Sequence, residues 1–299
     1  MKLVASAVLF LTPILWASYY AVTKEALDRF EPAAFATLDV LVALPFGVAI
    51  VIAWRKHLDR ATVIGGVVLG ALLACELLVY SFALDYTTAT NAGFIPSSQG
   101  FLAIVIAAFA LRQRVPAPTW IAGILCLMGV LLVVLESPSS GGHWRGDALL
   151  FLGTFIFTAY VFAIDRIASG NKVALWPCFG VELVTVAVII GAVSPFFIDW
   201  SNFAQPATSD VYVILYVGIA TTVAPAAICI FFQPYVSPIY VAFIFVLEPL
   251  WAALVSTLYL GETVTTLAYV GGGMILIAAV ANTIHDNLSA QPETQLAGS

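Results

Sequence analysis

Ten apolar runs, each about the length of a membrane-spanning helix, follow one another along the chain. A helix needs about 20 apolar residues to cross a bilayer. The predicted spans are 3–23, 33–53, 62–84, 90–111, 117–135, 146–165, 174–197, 210–232, 237–258 and 264–284. The links 84–90 and 232–238 are short, which predicts tight hairpins. We therefore expect an all-α polytopic membrane protein, with a disordered cytoplasmic tail over 286–299.

Polar residues fall at matched positions in the two halves of the chain. An offset of 149 residues aligns Gln99 with Glu248, and an offset of 143 aligns Asp39 with Glu182. Polar residues at matched depths are harder to obtain by chance than apolar matches. The alignment therefore predicts an internal repeat.

The repeat divides the chain into two sets of five predicted helices, over 1–136 and 145–285. Because five is odd, the second repeat enters the membrane from the opposite side, so the repeats are expected to be inverted. Secondary transporters commonly have this architecture, with the substrate site near the midplane. Glycines at 65–70 and 271–273 are expected to let helices approach closely.

The distribution of lysine and arginine predicts the orientation, since cytoplasmic links carry more of them. With the N-terminus inside, the inner side receives eight of these residues, namely Lys2, Arg55, Lys56, Arg60, Arg112, Arg114, Arg166 and Lys172. The outer side receives only Lys24, Arg29 and Arg145. We therefore expect both termini in the cytoplasm and a location in the cell (inner) membrane.

Several segments resemble the drug/metabolite transporter superfamily, and in particular its ten-helix, EamA-type members. The segments are LWASYYAVTK (15–24), ALDYTTATNAGFI (83–95) and LEPLWAALVSTLYLGE (247–262). The resemblance implies inverted five-helix halves, cytoplasmic termini, a central cavity, and transport of small metabolites. Asp39 stands where many members carry arginine, which argues against anionic substrates.

Composition agrees with a membrane protein, because 62% of the residues are hydrophobic and only 9% are charged. Soluble domains average about 25% charged residues. The net charge of −6, with no basic patch visible in the sequence, predicts no nucleic-acid partner. The cysteines are expected to be small buried residues, namely Cys75, Cys126, Cys178 and Cys229. No cofactor is expected.

Four acids lie inside predicted spans, namely Asp39, Glu76, Glu182 and Glu248. An ionisable residue at that depth costs about 2.5–3.5 kcal/mol on insertion scales and marks a functional site by default. No lysine or arginine lies as deep, so these acids are expected to carry a proton or to meet a substrate cation. Asp39, Glu76 and Glu182 are the candidates for proton or cation coupling. A structural role is the alternative for Asp39 and Glu182, and the expected role for Glu262.

Aromatic residues at related depths complete the candidate substrate site. Its residues are Trp16, Tyr19, Glu76, Tyr80, Gln99, Phe101, Tyr160, Tyr240 and Glu248. Glu248 precedes Pro249, which frees a carbonyl one turn earlier and indicates either a hinge or a site. Aromatic rings beside acids suit an amphipathic cation or zwitterion, such as an amino acid or an amine drug. Lipid contact is the alternative for each ring.

The leading hypothesis is a secondary transporter that exports a small molecule and acts as a monomer or homodimer. A phosphorylated-sugar or nucleotide-sugar exchanger is the main rival, but such substrates call for deep lysine or arginine. The other functional classes considered are a channel and a membrane enzyme. An enzyme is disfavoured because His57, His143 and His285 all lie near helix ends. No P-loop is present, so ATP is not expected to drive transport.

Overall fold

The chain forms a helical bundle. The computed structural model describes residues 1–27, 30, 32–84, 86–87, 89–136, 144–170, 172–196, 198, 208–255, 258 and 265–289. Over these residues the chain contains no β-strand. The α-helices of this part are α1 Lys2–Leu9, α2 Leu11–Leu27, α3 Pro32–Ala53, α4 Arg60–Leu84, α5 Ala89–Phe94, α6 Gln99–Val105, α7 Ala117–Glu136, α8 Trp144–Ala168, α9 Leu175–Val193, α10 Thr208–Val217, α11 Ala224–Phe232, α12 Pro238–Phe245, α13 Glu248–Val255 and α14 Thr266–Ser289.

Ten segments of the described chain are long and apolar enough to cross a membrane. This confirms the predicted all-α, ten-span fold. Spans 2, 3, 5, 6, 7 and 10 are the single helices α3, α4, α7, α8, α9 and α14. Spans 1, 4, 8 and 9 are the helix pairs α1–α2, α5–α6, α10–α11 and α12–α13.

Prolines account for the four divided spans. Pro13, Pro96, Pro225 and Pro249 lie where the paired helical segments meet. Each lacks the N–H that would bond to the carbonyl four residues earlier. Pro45, by contrast, lies within the continuous helix α3. A carbonyl freed inside a membrane protein needs another donor, because lipid supplies none.

Glycines mark the closest helix crossings. Gly47 of α3 packs against Gly180 of α9, and Gly129 of α7 packs against Gly271 of α14. A Cβ built on Gly129 would lie 2.6 Å from the Gly271 carbonyl oxygen. Spans 2 and 7, and spans 5 and 10, therefore touch at backbone level, as small residues in membrane helices allow.

The glycines of α4 bring that helix onto α9. A Cβ on Gly66 would lie 2.6 Å from the Cys178 carbonyl oxygen, and one on Gly70 would lie 2.7 Å from that of Glu182. The close approach predicted for 65–70 is thus confirmed. Around Gly273, in contrast, a Cβ would meet nothing within 4 Å.

Polar contacts join helices at both ends of the bundle. At one end, Lys2 Nζ lies 2.8 Å from the Asp286 carboxylate, so the start of α1 and the end of α14 lie together. At the other, the Asp147 carboxylate accepts hydrogen bonds from Thr87 Oγ1 at 2.6 Å and from Asn91 Nδ2 at 3.0 Å. We refer to these as the Lys2 contact and the Asp147 contact.

The predicted tail needs one correction. Helix α14 continues to Ser289, so residues 286–289 are helical rather than disordered. The ion pair from Asp286 to Lys2 ties this last turn to α1. Residues 290–299 and Glu262 lie outside the described residues. The division into inverted halves stays a prediction.

Candidate functional site

Two acidic side chains from different halves of the chain lie within electrostatic range of each other inside the bundle. Glu76 lies in α4, and Glu248 is the first residue of α13, directly after the division of span 9. The carboxyl groups are close enough for electrostatic repulsion. Both side chains are half-buried. Two acids in this arrangement favour a cation between them, or a proton on one of them. We call Glu76 and Glu248 the acid pair.

Glu76 has hydrogen-bonding capacity that the described residues do not use. No group in this part of the chain donates a hydrogen bond to its carboxyl oxygens, and its electrostatic neighbour there is Glu248. A carboxylate accepts several hydrogen bonds when its partners are present. The carboxyl group of Glu76 is therefore available to a ligand.

Prolines position two of the predicted substrate residues. Pro96 cannot donate to the Ala92 carbonyl, and the Tyr80 hydroxyl donates to that oxygen at 3.2 Å. Pro225 likewise cannot donate to the carbonyl of Thr221. The Trp16 indole N–H donates to the Thr221 oxygen at 3.1 Å. The interruptions of spans 4 and 8 thus provide the acceptors that orient Tyr80 and Trp16.

Trp16 belongs to a group of four rings. Its ring centroid lies 5.5 Å from that of Phe157 and 5.0 Å from that of Phe245, both edge-on. Phe157 in turn stacks on Tyr160 at 5.6 Å. The structure therefore joins the predicted residues Trp16 and Tyr160 through Phe157 of α8. Trp16 and Phe157 are half-buried, so part of each ring remains accessible.

Tyr19 lies in α2, as Trp16 does, and near Asp39, which is the first buried acid along the chain. Its hydroxyl lies within electrostatic range of Asp39 and of Tyr80, and its ring lies 6.3 Å from that of Phe35. Asp39 is buried, and Thr222 Oγ1 donates to its carboxyl group at 3.3 Å. The structure thus brings Tyr19, Tyr80 and Asp39 together.

Glu182 is held differently from the acid pair. It is completely buried, and the Tyr160 hydroxyl donates to its Oε1 at 2.6 Å. Its Oε2 is also buried and has no hydrogen-bond partner among the described residues. A buried carboxyl group with a short hydrogen bond to a neighbouring helix fits the structural alternative considered for Asp39 and Glu182.

The divisions of spans 4 and 9 meet each other. In an α-helix the Leu250 N–H would donate to the Val246 carbonyl, but here it donates to the Leu247 carbonyl instead. The Val246 carbonyl can therefore accept a hydrogen bond from another donor. Ser97 Oγ donates to it at 3.3 Å. Gln99 begins α6 just as Glu248 begins α13, and its buried Nε2 has no partner in the described chain.

Two predicted site residues lie apart from the acid pair. Phe101 packs on Trp120 of α7, with ring centroids 6.3 Å apart. Tyr240 lies under the Lys2 ammonium, which is 5.8 Å from its ring centroid, beside the Lys2 contact. Their roles in substrate binding stay predictions, since nothing in these contacts joins them to Glu76.

Five further residues at the site were not predicted from the sequence, namely Ser97, Phe157, Thr221, Thr222 and Phe245. One signal was available for Thr221, because it stands four residues before Pro225 and so loses its α-helical donor. Among the described residues, no group of three His, Cys, Asp or Glu side chains could hold a metal ion.

Comparison with known proteins agrees with this architecture. A model of the EamA-like transporter family matches residues 3–135 and again residues 144–284. An uncharacterized transporter of Archaeoglobus fulgidus is 27% identical over 282 residues, which cover 93% of this chain and 85% of that protein. A second, from the same organism, is 28% identical over 284 residues, covering 91% and 94% respectively.

A solved crystal structure shares the fold at 15% sequence identity. It covers 96% of this chain and 99% of its own, with a TM-score of 0.76. At that identity the likeness concerns the fold alone. Because the family model accounts for nearly the whole chain, this multi-pass membrane protein belongs to the EamA-like transporter family of the drug/metabolite transporter superfamily.

Proposed function

We propose that the protein is a secondary transporter for a small amphiphile with a positively charged amine, such as an amino acid or an amine drug. The observation that carries the proposal is the acid pair, to which each half of the chain contributes one half-buried carboxyl group. An ammonium group between Glu76 and Glu248 would replace their repulsion by attraction. Loss of that electrostatic repulsion is a direct source of binding free energy.

The aromatic group supplies the apolar part of the proposed site. Trp16 and Phe157 offer accessible ring surface, and Tyr80 and Tyr19 lie on the helices that carry Glu76 and Trp16. Rings beside carboxyl groups favour a cation with an apolar body, through cation–π contacts and packing. A phosphate ester would place its charge against two acids, so we expect it to be rejected.

Alternating access is proposed from the contacts between the halves. Ser97 and Val246, which are 149 residues apart, touch at the divisions of spans 4 and 9. Gly70 packs against the Glu182 carbonyl, and Gly218 packs against the Asp39 carbonyl. Equivalent residues in equivalent contacts support a pseudo-two-fold axis, which would relate two states of opposite accessibility.

The contacts at the bundle ends provide the proposed gates. The Lys2 contact and the Asp147 contact lie at opposite ends. Each joins the start of one repeat to other helices, because Lys2 begins α1 and Asp147 lies in the first turn of α8. We propose that they open in turn, so that the acid pair communicates with one side at a time.

Proton-driven export follows if a proton and the substrate cation compete for the acid pair. A proton would then enter the cell as the substrate cation leaves it, so the protein would act as an antiporter across the cell membrane. Glu76 is the coupling residue that this scheme needs. We propose to test the coupling roles predicted for Asp39 and Glu182 by substitution. The hydrogen bonds that these two residues accept favour structural roles for them.

Thermal unfolding of the purified protein tests the substrate class. Phenylalanine, phenethylamine and glucose 6-phosphate would be titrated against the wild type, Glu76→Gln, Glu248→Gln and the control Glu182→Gln. We expect phenylalanine or phenethylamine to raise the melting temperature of the wild type and the control only. A shift with glucose 6-phosphate, or one that persists in both acid-pair variants, would contradict the proposal.

A further inference from the structure

The fold collects basic side chains that are far apart in the sequence. Five of the eleven lysines and arginines lie on the two links that join span 2 to span 3 and span 6 to span 7, or at the helix ends beside them. These residues are Arg55, Lys56, Arg60, Arg166 and Lys172, and all five are exposed. We call them the basic patch. The patch is not visible in the sequence because its two parts are about a hundred residues apart.

Direct contacts hold the two links side by side. The Ala174 backbone N–H donates to Thr62 Oγ1 at 3.2 Å. A Cβ on Gly65 would lie 3.0 Å from Ile167 and 3.8 Å from Val173. The start of α4 therefore lies against the end of α8 and the link that follows it.

The cations of the patch are not neutralised by close ion pairs within the described part of the chain. None of the five forms an ion pair with any described residue. The two acids nearby accept hydrogen bonds from other groups. Asp59 accepts a hydrogen bond from the Thr62 N–H at 2.7 Å, and Asp165 accepts one from Ser169 Oγ at 3.4 Å. The hydrogen bonds from Thr62 lower the pKa of Asp59, which keeps it charged at the start of α4.

Two tryptophans adjoin the basic patch. Trp54 and Trp176 stack with ring centroids 6.3 Å apart and nearly parallel planes. Trp176 also packs on Phe231 of α11, at 4.6 Å. Although packed together, the tryptophans remain 39% and 48% exposed. Exposed tryptophan is typical of the level at which lipid headgroups meet the hydrocarbon.

We propose that the basic patch, with the stacked tryptophans beside it, binds the phosphate headgroup of an anionic phospholipid. Unpaired cations between membrane helices attract such headgroups, and aromatic rings at this depth pack on the glycerol and upper acyl chains. The same five cations contribute to the predicted cytoplasmic orientation of their links, and their concentration in a chain of net charge −6 provides the positive potential that an anionic headgroup requires. The inference does not depend on the substrate of the transporter.

Lipid titration of the purified protein in a neutral detergent, followed by native mass spectrometry, tests the proposal. The probes are dioleoylphosphatidylglycerol, dioleoylphosphatidylcholine and inorganic phosphate. The variant Lys56→Gln/Lys172→Gln removes one cation from each link. At roughly fivefold in affinity for each cation, we expect phosphatidylglycerol to bind about 25-fold more weakly to this variant.

The control variant is Arg112→Gln/Arg114→Gln, which removes two exposed cations from the link between spans 4 and 5. We expect it to retain phosphatidylglycerol affinity within about threefold, since these residues lie outside the basic patch. Equal losses in the two variants would show that only overall charge matters, and would overturn the proposal. So would equal affinity for phosphatidylcholine, or saturation of the patch by inorganic phosphate alone. Equal melting temperatures of the two variants in phosphatidylcholine would show that both remain folded.

Discussion

Two pairs of acids lie within the same bundle in opposite surroundings. Asp39 and Glu182 are buried, and each accepts a hydrogen bond from a neighbouring helix. Glu76 and Glu248 are half-buried and repel each other. No described residue donates a hydrogen bond to Glu76.

The difference separates two reasons for an acid to lie inside a membrane. A buried acid with a protein donor stabilises a helix contact and is not accessible to a ligand. An accessible acid beside a second acid is destabilised until a cation or proton arrives. Depth alone therefore does not identify a transport residue. The accessibility of its carboxyl group and the charge of its neighbours do.

The largest expected effect is on transport by acid-pair variants. Glu76→Gln should reduce proton-driven phenethylamine uptake into proteoliposomes by about 10- to 100-fold, because a charge-assisted contact of about 1.5–3 kcal/mol is lost. Its melting temperature should not fall, since the substitution removes a repulsion. Uptake by Glu182→Gln should stay near that of the wild type, and equal losses in both would erase the distinction between the two pairs of acids.

The next effect concerns the backbone contact beside Asp39. A Cβ on Gly218 would lie 2.5 Å from the Asp39 carbonyl oxygen. Gly218→Ala should therefore lower the free energy of unfolding by about 1–3 kcal/mol through overpacking. Gly273→Ala is the matched control, because a Cβ there meets nothing within 4 Å. Denaturant unfolding of both variants checks this, and equal stabilities would show that spans 2 and 8 separate easily.

The hydrogen bond to Glu182 should contribute a smaller amount. Tyr160→Phe leaves both buried carboxyl oxygens without a donor among the described residues, which should cost about 1–2 kcal/mol of unfolding free energy. Adding Glu182→Leu should recover most of the loss, because the remaining groups are apolar. If the double variant is less stable than Tyr160→Phe, Glu182 has a stabilising partner other than Tyr160.

The smallest effect belongs to an acid at the surface. Asp59 is exposed and accepts a hydrogen bond from Thr62 at the start of α4. Asp59→Ala should lower the melting temperature slightly. Because the hydrogen bonds of the folded state lower the pKa of Asp59, its stabilisation is fully present above the unfolded pKa of about 4 and is lost only below it. The difference from the wild type should thus be the same at pH 6 and pH 8.

The sequence predicts the bundle well and the site only in part. Hydropathy is sufficient for the ten spans, because each span needs a long apolar run. The same pattern places Glu76 and Glu248 inside the bundle. It does not give the rotation of a helix about its axis, so it groups Phe101 and Tyr240 with Trp16 although their contacts lie elsewhere.

The hydrogen-bond partners of the buried acids could not be predicted from the sequence pattern either. The donors to Asp39 and Glu182 come from other helices, Thr222 and Tyr160, and only packing brings them together. The prolines predict some of these hydrogen bonds better than the hydropathy pattern does. Each marks a carbonyl that needs a new donor, and in two cases that donor is a predicted site residue, Tyr80 or Trp16.

Proton release on substrate binding tests the central claim most directly. Phenethylamine would be titrated into wild type and Glu76→Gln by isothermal calorimetry, in two buffers of different ionisation enthalpy at the same pH. If a cation and a proton compete for the acid pair, binding to the wild type releases protons and binding to the variant releases far fewer. Tight binding to the wild type without proton release, or equal release from both proteins, would contradict the account.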